Sequence, residues 1–165
     1  MAPDRSEEPE DLETPPAFFP AHEFSEGIRA SQFGEPIEVN VEGVFIAQNG
    51  GDVQRFVLLT DGVRKLPISI GEPEATAITL PLEDKKPGRP LTHDLLVTIL
   101  ARVGAKLEKV VIDDLWQNTY YAKLFFVIDG NSLEIDSRPS DAIAIAVRMD
   151  APIFVADAIL DQLAT

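Results

Sequence analysis

The sequence predicts an α+β domain: a mixed, mostly antiparallel β-sheet covered by helices, built from two strand–strand–strand–helix repeats. Three observations carry this expectation. Two Asp-Gly turns, Asp61-Gly62 and Asp129-Gly130, each join runs of β-type residues. Each returning run leads into a helix start marked by proline and acids, Glu72-Pro73-Glu74-Ala75 and Pro139-Ser140-Asp141-Ala142. The two sets keep step, the turns 68 positions apart and the helix starts at Glu74 and Asp141 67 apart.

The elements follow in order. Ile37, Val39 and Val41 alternate with Glu38, Asn40 and Glu42, the pattern of a half-buried strand that continues through Val44-Phe45-Ile46. Asn49-Gly50-Gly51-Asp52 is a turn, residues 53–60 a second strand, and residues 63–70 the strand returning from Asp61-Gly62. After the helix opened by Glu72, the stretch Glu83 to Gly88 is a polar loop. Thr92 is the expected N-cap of the next helix, Asp94 suits its first turn and Gly104 its end. Leu95, Leu96, Ile99, Leu100 and Val103 share one apolar face of it. Strands at 110–112, 120–128 and 133–136 then lead to a helix over 142–148. A short strand at 152–155 and a final helix near 156–163 close the chain, with Ile159, Leu160 and Leu163 facing inward.

The 165 residues carry 14 Lys+Arg against 28 Asp+Glu, a net charge of −14, so a broad cationic footprint on nucleic acid is excluded. There is no cysteine, which removes disulfides, thiol nucleophiles and Cys-based metal sites. No run approaches the 18 or so apolar residues that a membrane span needs, and the acidic, Pro-rich N-terminus is unlike a signal peptide. A cytoplasmic protein without membrane contact is expected. Residues 1–38 hold ten acids and two bases, −8 of the total, together with six prolines. Residues 1–37 therefore read as an acidic, Pro-rich disordered tail ahead of a domain over 38–165. Phe18, Phe19 and Phe24 stand out in that tail as residues able to dock on the domain or on a partner.

Phosphate-binding loops, dinucleotide fingerprints, His-Glu-x-x-His and nucleophile elbows are all missing. Three polar clusters interrupt the apolar text instead. Arg89 with Thr92-His93-Asp94 places a histidine in the first turn of a helix, as a general base or a metal ligand, or as a solvated residue beside two capping side chains. Asp136-Ser137-Arg138-Pro139-Ser140-Asp141 gathers two carboxylates and an arginine at a helix start. Asp136 and Asp141 there are able to hold a divalent ion and Arg138 a phosphoryl charge, or the three form a structural ion pair. Glu72 and Glu74 are the counterparts of the second cluster in the first repeat. If the repeats pack about a pseudo-twofold, Glu74, Asp141 and His93 converge on one site. Glu83-x-Lys85 mimics part of a nuclease motif but lies in a loop and reads as surface charge.

Three stretches together resemble the bifunctional nuclease domain family: Leu66 to Gly71 with Glu74 to Ile78, Arg89 to Leu96, and Ile135 to Ala144, where Ser137 replaces the family's usual alanine. The likeness covers roughly residues 38–163. It implies an α+β fold, a homodimer and action on DNA and RNA. The residues in these motifs able to do chemistry are His93, Asp94 and Arg138 as catalytic groups and Asp136, Asp141 and Glu74 as ligands of Mg²⁺ or Mn²⁺. The expected function is metal-assisted phosphodiester hydrolysis, with weak or transient contact to nucleic acid. The alternative is a non-catalytic interaction or regulatory module with an acidic N-terminal tail.

Overall fold

A computed structural model describes residues 33–163; the expected tail lies outside the described residues except for its last five positions. The elements run β1 (Pro36–Asn49), β2 (Asp52–Thr60), β3 (Lys65–Ile70), α1 (Glu72–Leu82), α2 (Thr92–Arg102), β4 (Lys106–Trp116), β5 (Thr119–Ile128), β6 (Asn131–Ser137), α3 (Pro139–Met149), β7 (Ile153–Ala156) and α4 (Asp157–Leu163). Three strands followed by a helix thus occur twice, with α2 between the two sets. The strands form one seven-stranded sheet in the order β3-β2-β1-β7-β4-β5-β6. β4 and β7 pair in parallel, and the other described pairings are antiparallel.

Alternation decides which side of each strand is buried. Val57 and Leu59 on β2 face Ile68 and Leu66 on β3, and all four are buried. Val110 and Ile112 on β4, Leu124 and Phe126 on β5 and Ile153 and Val155 on β7 continue the same core. α3 seals it. Its run Ala142-Ile143-Ala144-Ile145-Ala146 is wholly buried, because α3 packs on β4 and β5 while α1 and α2 pack against α3. A helix surrounded in this way is apolar nearly all round.

Chain ends of elements follow the expected chemistry, with three differences. β1 begins at Pro36, one residue before the strand read from Ile37, because Ile37 pairs with Val155 and Pro36 with Ala156. The carbonyls of Glu35 and Phe33 accept the backbone N–H groups of Asp157 and Ala158, satisfying donors that a helix start leaves open. The cap of α2 is Leu91, in extended conformation, and not Thr92. The Asp94 carboxylate accepts the Leu91 backbone N–H at 2.8 Å, which fixes the start one residue earlier. The apolar face read for α2 does not meet the core as a unit. Val97 and Leu100 pack partly buried against it, but Leu95, Leu96, Ile99 and Val103 are exposed. Gly104 ends α2 with φ +73°, and Ala105 N–H returns to the Leu100 carbonyl at 2.9 Å. Ile159 and Leu160 of α4 are buried as expected, while the side chain of Leu163 lies outside the described residues. Arg64 ties α4 to the β2–β3 turn through Asp61, Asp157 and Asp161.

No helix among the described residues is long and apolar enough to cross a membrane.

Candidate functional site

The starts of α1, α2 and α3 meet, and each contributes a polar side chain from its first turn. α1 brings Glu74, α2 brings His93 and Asp94, and α3 brings Asp141 with Arg138 at its cap. Arg138 is extended, and its side chain makes no cap bond, so the guanidinium is available to its neighbours. Its Nε donates to Asp141 Oδ2 at 2.7 Å, and a second nitrogen approaches Glu74 Oε1 at 3.3 Å. The other Asp141 oxygen lies 2.9 Å from His93 Nε2. The Glu74 side chain folds back over Gly71, where any Cβ would collide with its carboxylate. The result is one chain of contacts, Glu74–Arg138–Asp141–His93, assembled from three helices.

Charge follows geometry. Burial pushes the Asp141 carboxyl up, but hydrogen bonds from Arg138 and His93 outweigh it, and its pKa lies below the ordinary carboxylate value. Asp141 is therefore a carboxylate, which only accepts, so Nε2 of His93 carries the hydrogen. Nδ1 of His93 has no protein hydrogen bond among the described residues. Arg138 is held cationic by Asp141 and Glu74 while two-thirds of its side chain faces solvent.

Asp94 belongs to a second, deeper contact set. Its Oδ1 accepts from Arg148 Nε at 2.7 Å and its Oδ2 from the Leu91 N–H. Arg148 is only 8% exposed and also donates to the carbonyls of Ala77 on α1 and Ala144 on α3. The Arg148 guanidinium, against some opposition from burial, holds the Asp94 carboxyl below its usual range. Asp94 thus ties α2 to α1 and α3, one residue along from His93. Sequence reasoning missed Arg148. Its signal was an arginine seven positions after Asp141 on an otherwise apolar stripe, which puts both on one helix face.

The expected metal set does not gather. Glu74 and Asp141 converge, but the Arg138 guanidinium lies between them and already supplies the positive charge. Asp136 stands apart: it pairs with Lys123 on β5, whereas its neighbour Ile135 pairs with the core residue Leu124. Alternation puts Asp136 on the sheet face away from the helices, exposed. Among the described residues no three His, Cys, Asp or Glu side chains group as a metal site. Of the cations in the loop before α2, Lys85 pairs with Glu83, while Lys86 and Arg89 are exposed. Two open clefts, of about 490 and 400 Å³, lie elsewhere, on either side of Asp150-Ala151-Pro152.

A family model, the bifunctional nuclease domain, matches residues 57–165. The chain belongs to the bifunctional nuclease domain family. An uncharacterised protein of Mycobacterium tuberculosis is 41% identical to it over 125 residues, 76% of this chain and 74% of that protein. Bifunctional nuclease 2 of Oryza sativa subsp. japonica is 29% identical over 120 residues, 70% of this chain but 37% of the rice protein. Bifunctional nuclease 1 of Arabidopsis thaliana is 31% identical over 93 residues, 54% of this chain and 29% of the plant protein. The matched region of this bifunctional nuclease domain contains every residue of the three-helix site, and β1 lies before it.

Proposed function

We propose that this bifunctional nuclease domain hydrolyses phosphodiester bonds of DNA, RNA or both, with His93 as general base and Arg138 as the phosphate-binding cation. One observation carries the reading: Asp141 accepts from His93 Nε2 through one oxygen and from Arg138 through the other, so an imidazole whose Nδ1 has no protein partner among the described residues and an exposed guanidinium stand on either side of one carboxylate. His93 Nδ1 takes the proton from an attacking water or ribose hydroxyl, the bond from phosphorus to the leaving oxygen breaks, and the imidazolium returns the proton to that oxygen. Asp141 fixes the tautomer and steadies the imidazolium, and Arg138 balances charge growing on the phosphoryl oxygens. Asp94 acts as a positioning residue through Arg148. No step is routed through a metal ion, because Arg138 fills the place between the two carboxylates.

The test is cleavage of DNA and of RNA by the purified chain, with Mg²⁺, with Mn²⁺ and with EDTA, against His93→Ala and Asp141→Asn. Cleavage that persists in EDTA and is lost in both variants is expected. Cleavage that survives both substitutions rules out this site, and cleavage that needs the metal yet is lost in both overturns the metal-free mechanism.

The second reading, a non-catalytic regulatory module, is favoured by the internal pairing of Glu74, Arg138 and Asp141 and by the position of both clefts away from His93. It predicts no cleavage under any of the three conditions.

A further inference from the structure

α2 has no buried residue. Val97 and Leu100 rest partly buried on the core, yet on the other side Leu95, Leu96, Ile99 and Val103 are 39–56% exposed. At 3.6 residues per turn these four fall within an arc of about 100°, the width of a helix face that meets a partner. Cations lie next to the stripe along the chain: Lys86 and Arg89 in the preceding loop, which also carries exposed Asp84, and Arg102 at the edge of the stripe, all three exposed and without an acidic partner among the described residues.

Residues 1–32 have the complementary composition. They carry eight acids against two bases, a net of −6, and the phenylalanines Phe18, Phe19 and Phe24. Extended, 32 residues reach about 100 Å, well beyond the width of a domain of this size, so α2 is within reach of a chain that joins the fold at Phe33. A second copy fits less well. A twofold contact through this face brings Lys86, Arg89 and Arg102 towards their own counterparts, and like charges facing each other are unfavourable.

We propose that residues 1–32 dock on α2 of the same chain, with the phenylalanines on the Leu95–Leu96–Ile99–Val103 stripe and the acids against Lys86, Arg89 and Arg102. Leu96 lies one turn from His93, so the docked segment sets an acidic stretch beside Arg138 and competes with an anionic substrate. That competition rests on the nuclease reading; the docking does not.

The chain has no cysteine, so Ala21→Cys in the 165-residue chain carries a single nitroxide between Phe19 and Phe24. In methyl-labelled protein, the expected result is loss of signal from the Leu95, Leu96, Ile99 and Val103 methyls. Val63, 90% exposed on the β2–β3 turn, keeps its signal. No loss at α2 beyond that at Val63 overturns the proposal. So does loss seen only when nitroxide and methyl label are on different chains, which assigns the face to another copy. Adding Phe18→Ser, Phe19→Ser and Phe24→Ser restores the α2 signals; persistence of the loss overturns the aromatic anchoring. The same triple variant, unlabelled, cleaves nucleic acid faster than the parent, and equal rates overturn the competition. If docking is seen and neither protein cleaves, docking stands and the nuclease reading falls.

Discussion

His93 and Asp141 lie 48 residues apart in sequence and 2.9 Å apart in space, joined by a hydrogen bond that spans two helix starts. Each partner is useless to the other role without this contact: the carboxylate sets which imidazole nitrogen is open. Replacing His93 by Ala, or Asp141 by Asn, is expected to lower kcat by roughly 10²- to 10⁴-fold, the range general acid–base groups contribute. The double variant loses about as much as the worse single one, since the two act as a unit. Multiplicative losses in the double variant would show that they act separately.

Arg138 offers a planar fork to phosphate while held by two carboxylates. Arg138→Ala is expected to raise KM about tenfold, as for a lost hydrogen bond to a charged group, and to lower kcat as well, because the charge it balances grows in the transition state. Arg138→Lys keeps the charge without the fork and restores only part of the affinity. Full recovery by lysine, read from steady-state kinetics, would argue that charge alone matters there.

Arg148 is the deepest charge of the three-helix junction. Arg148→Ala leaves Asp94 and two backbone carbonyls without their donor, and a loss of about 3 kcal/mol is expected, at the lower end for a broken buried pair. Urea unfolding measures it. A midpoint that hardly moves would show that α2 is held by other contacts.

Acid weakens the fold through carboxyls held below their ordinary range, Asp61 among them. Backbone N–H groups of Arg64 and Val63, with the Arg64 guanidinium, lower the Asp61 carboxyl from an ordinary 3.8 to about 2. Between those values the unfolded chain binds the proton and the folded one does not, so stability rises with pH across that window. The contribution is complete above about pH 4 and disappears as pH falls towards 2. Asp94 and Asp141, also lowered, act in the same direction. Thermal melts between pH 5 and pH 2 are expected to show a falling Tm, less steep in Asp61→Asn. An identical slope in the variant would place the acid sensitivity elsewhere.

The elements were legible because they are written in local chemistry. Asp-Gly turns, alternation on β2 and β5 and the proline-marked starts of α1 and α3 need no distant partner to be read. The convergence of Glu74, Asp141 and His93 was expected on the condition that the two halves pack about a pseudo-twofold. Three things were not legible, each decided by packing. Asp136 shares a motif with Asp141, but one residue of strand parity sends it to the opposite face. Arg148 resembles an end-of-helix surface residue until α1 and α2 close over it. The leucines of α2 look like core because periodicity reports amphipathicity and not which side meets the domain.

The central strand of the sheet is the last of its seven strands to be synthesised. Val39 on β1 meets Ile153 on β7, 114 positions later, and β4 reaches β1 only through β7. Until β7 emerges, the nascent chain carries two separate three-stranded arms, with β1 and β4 as bare edges able to pair with a neighbour. Closure is therefore a late, long-range event of the kind that slows folding. A ribosome stalled before residue 150 would expose two adhesive edges and not a smaller domain.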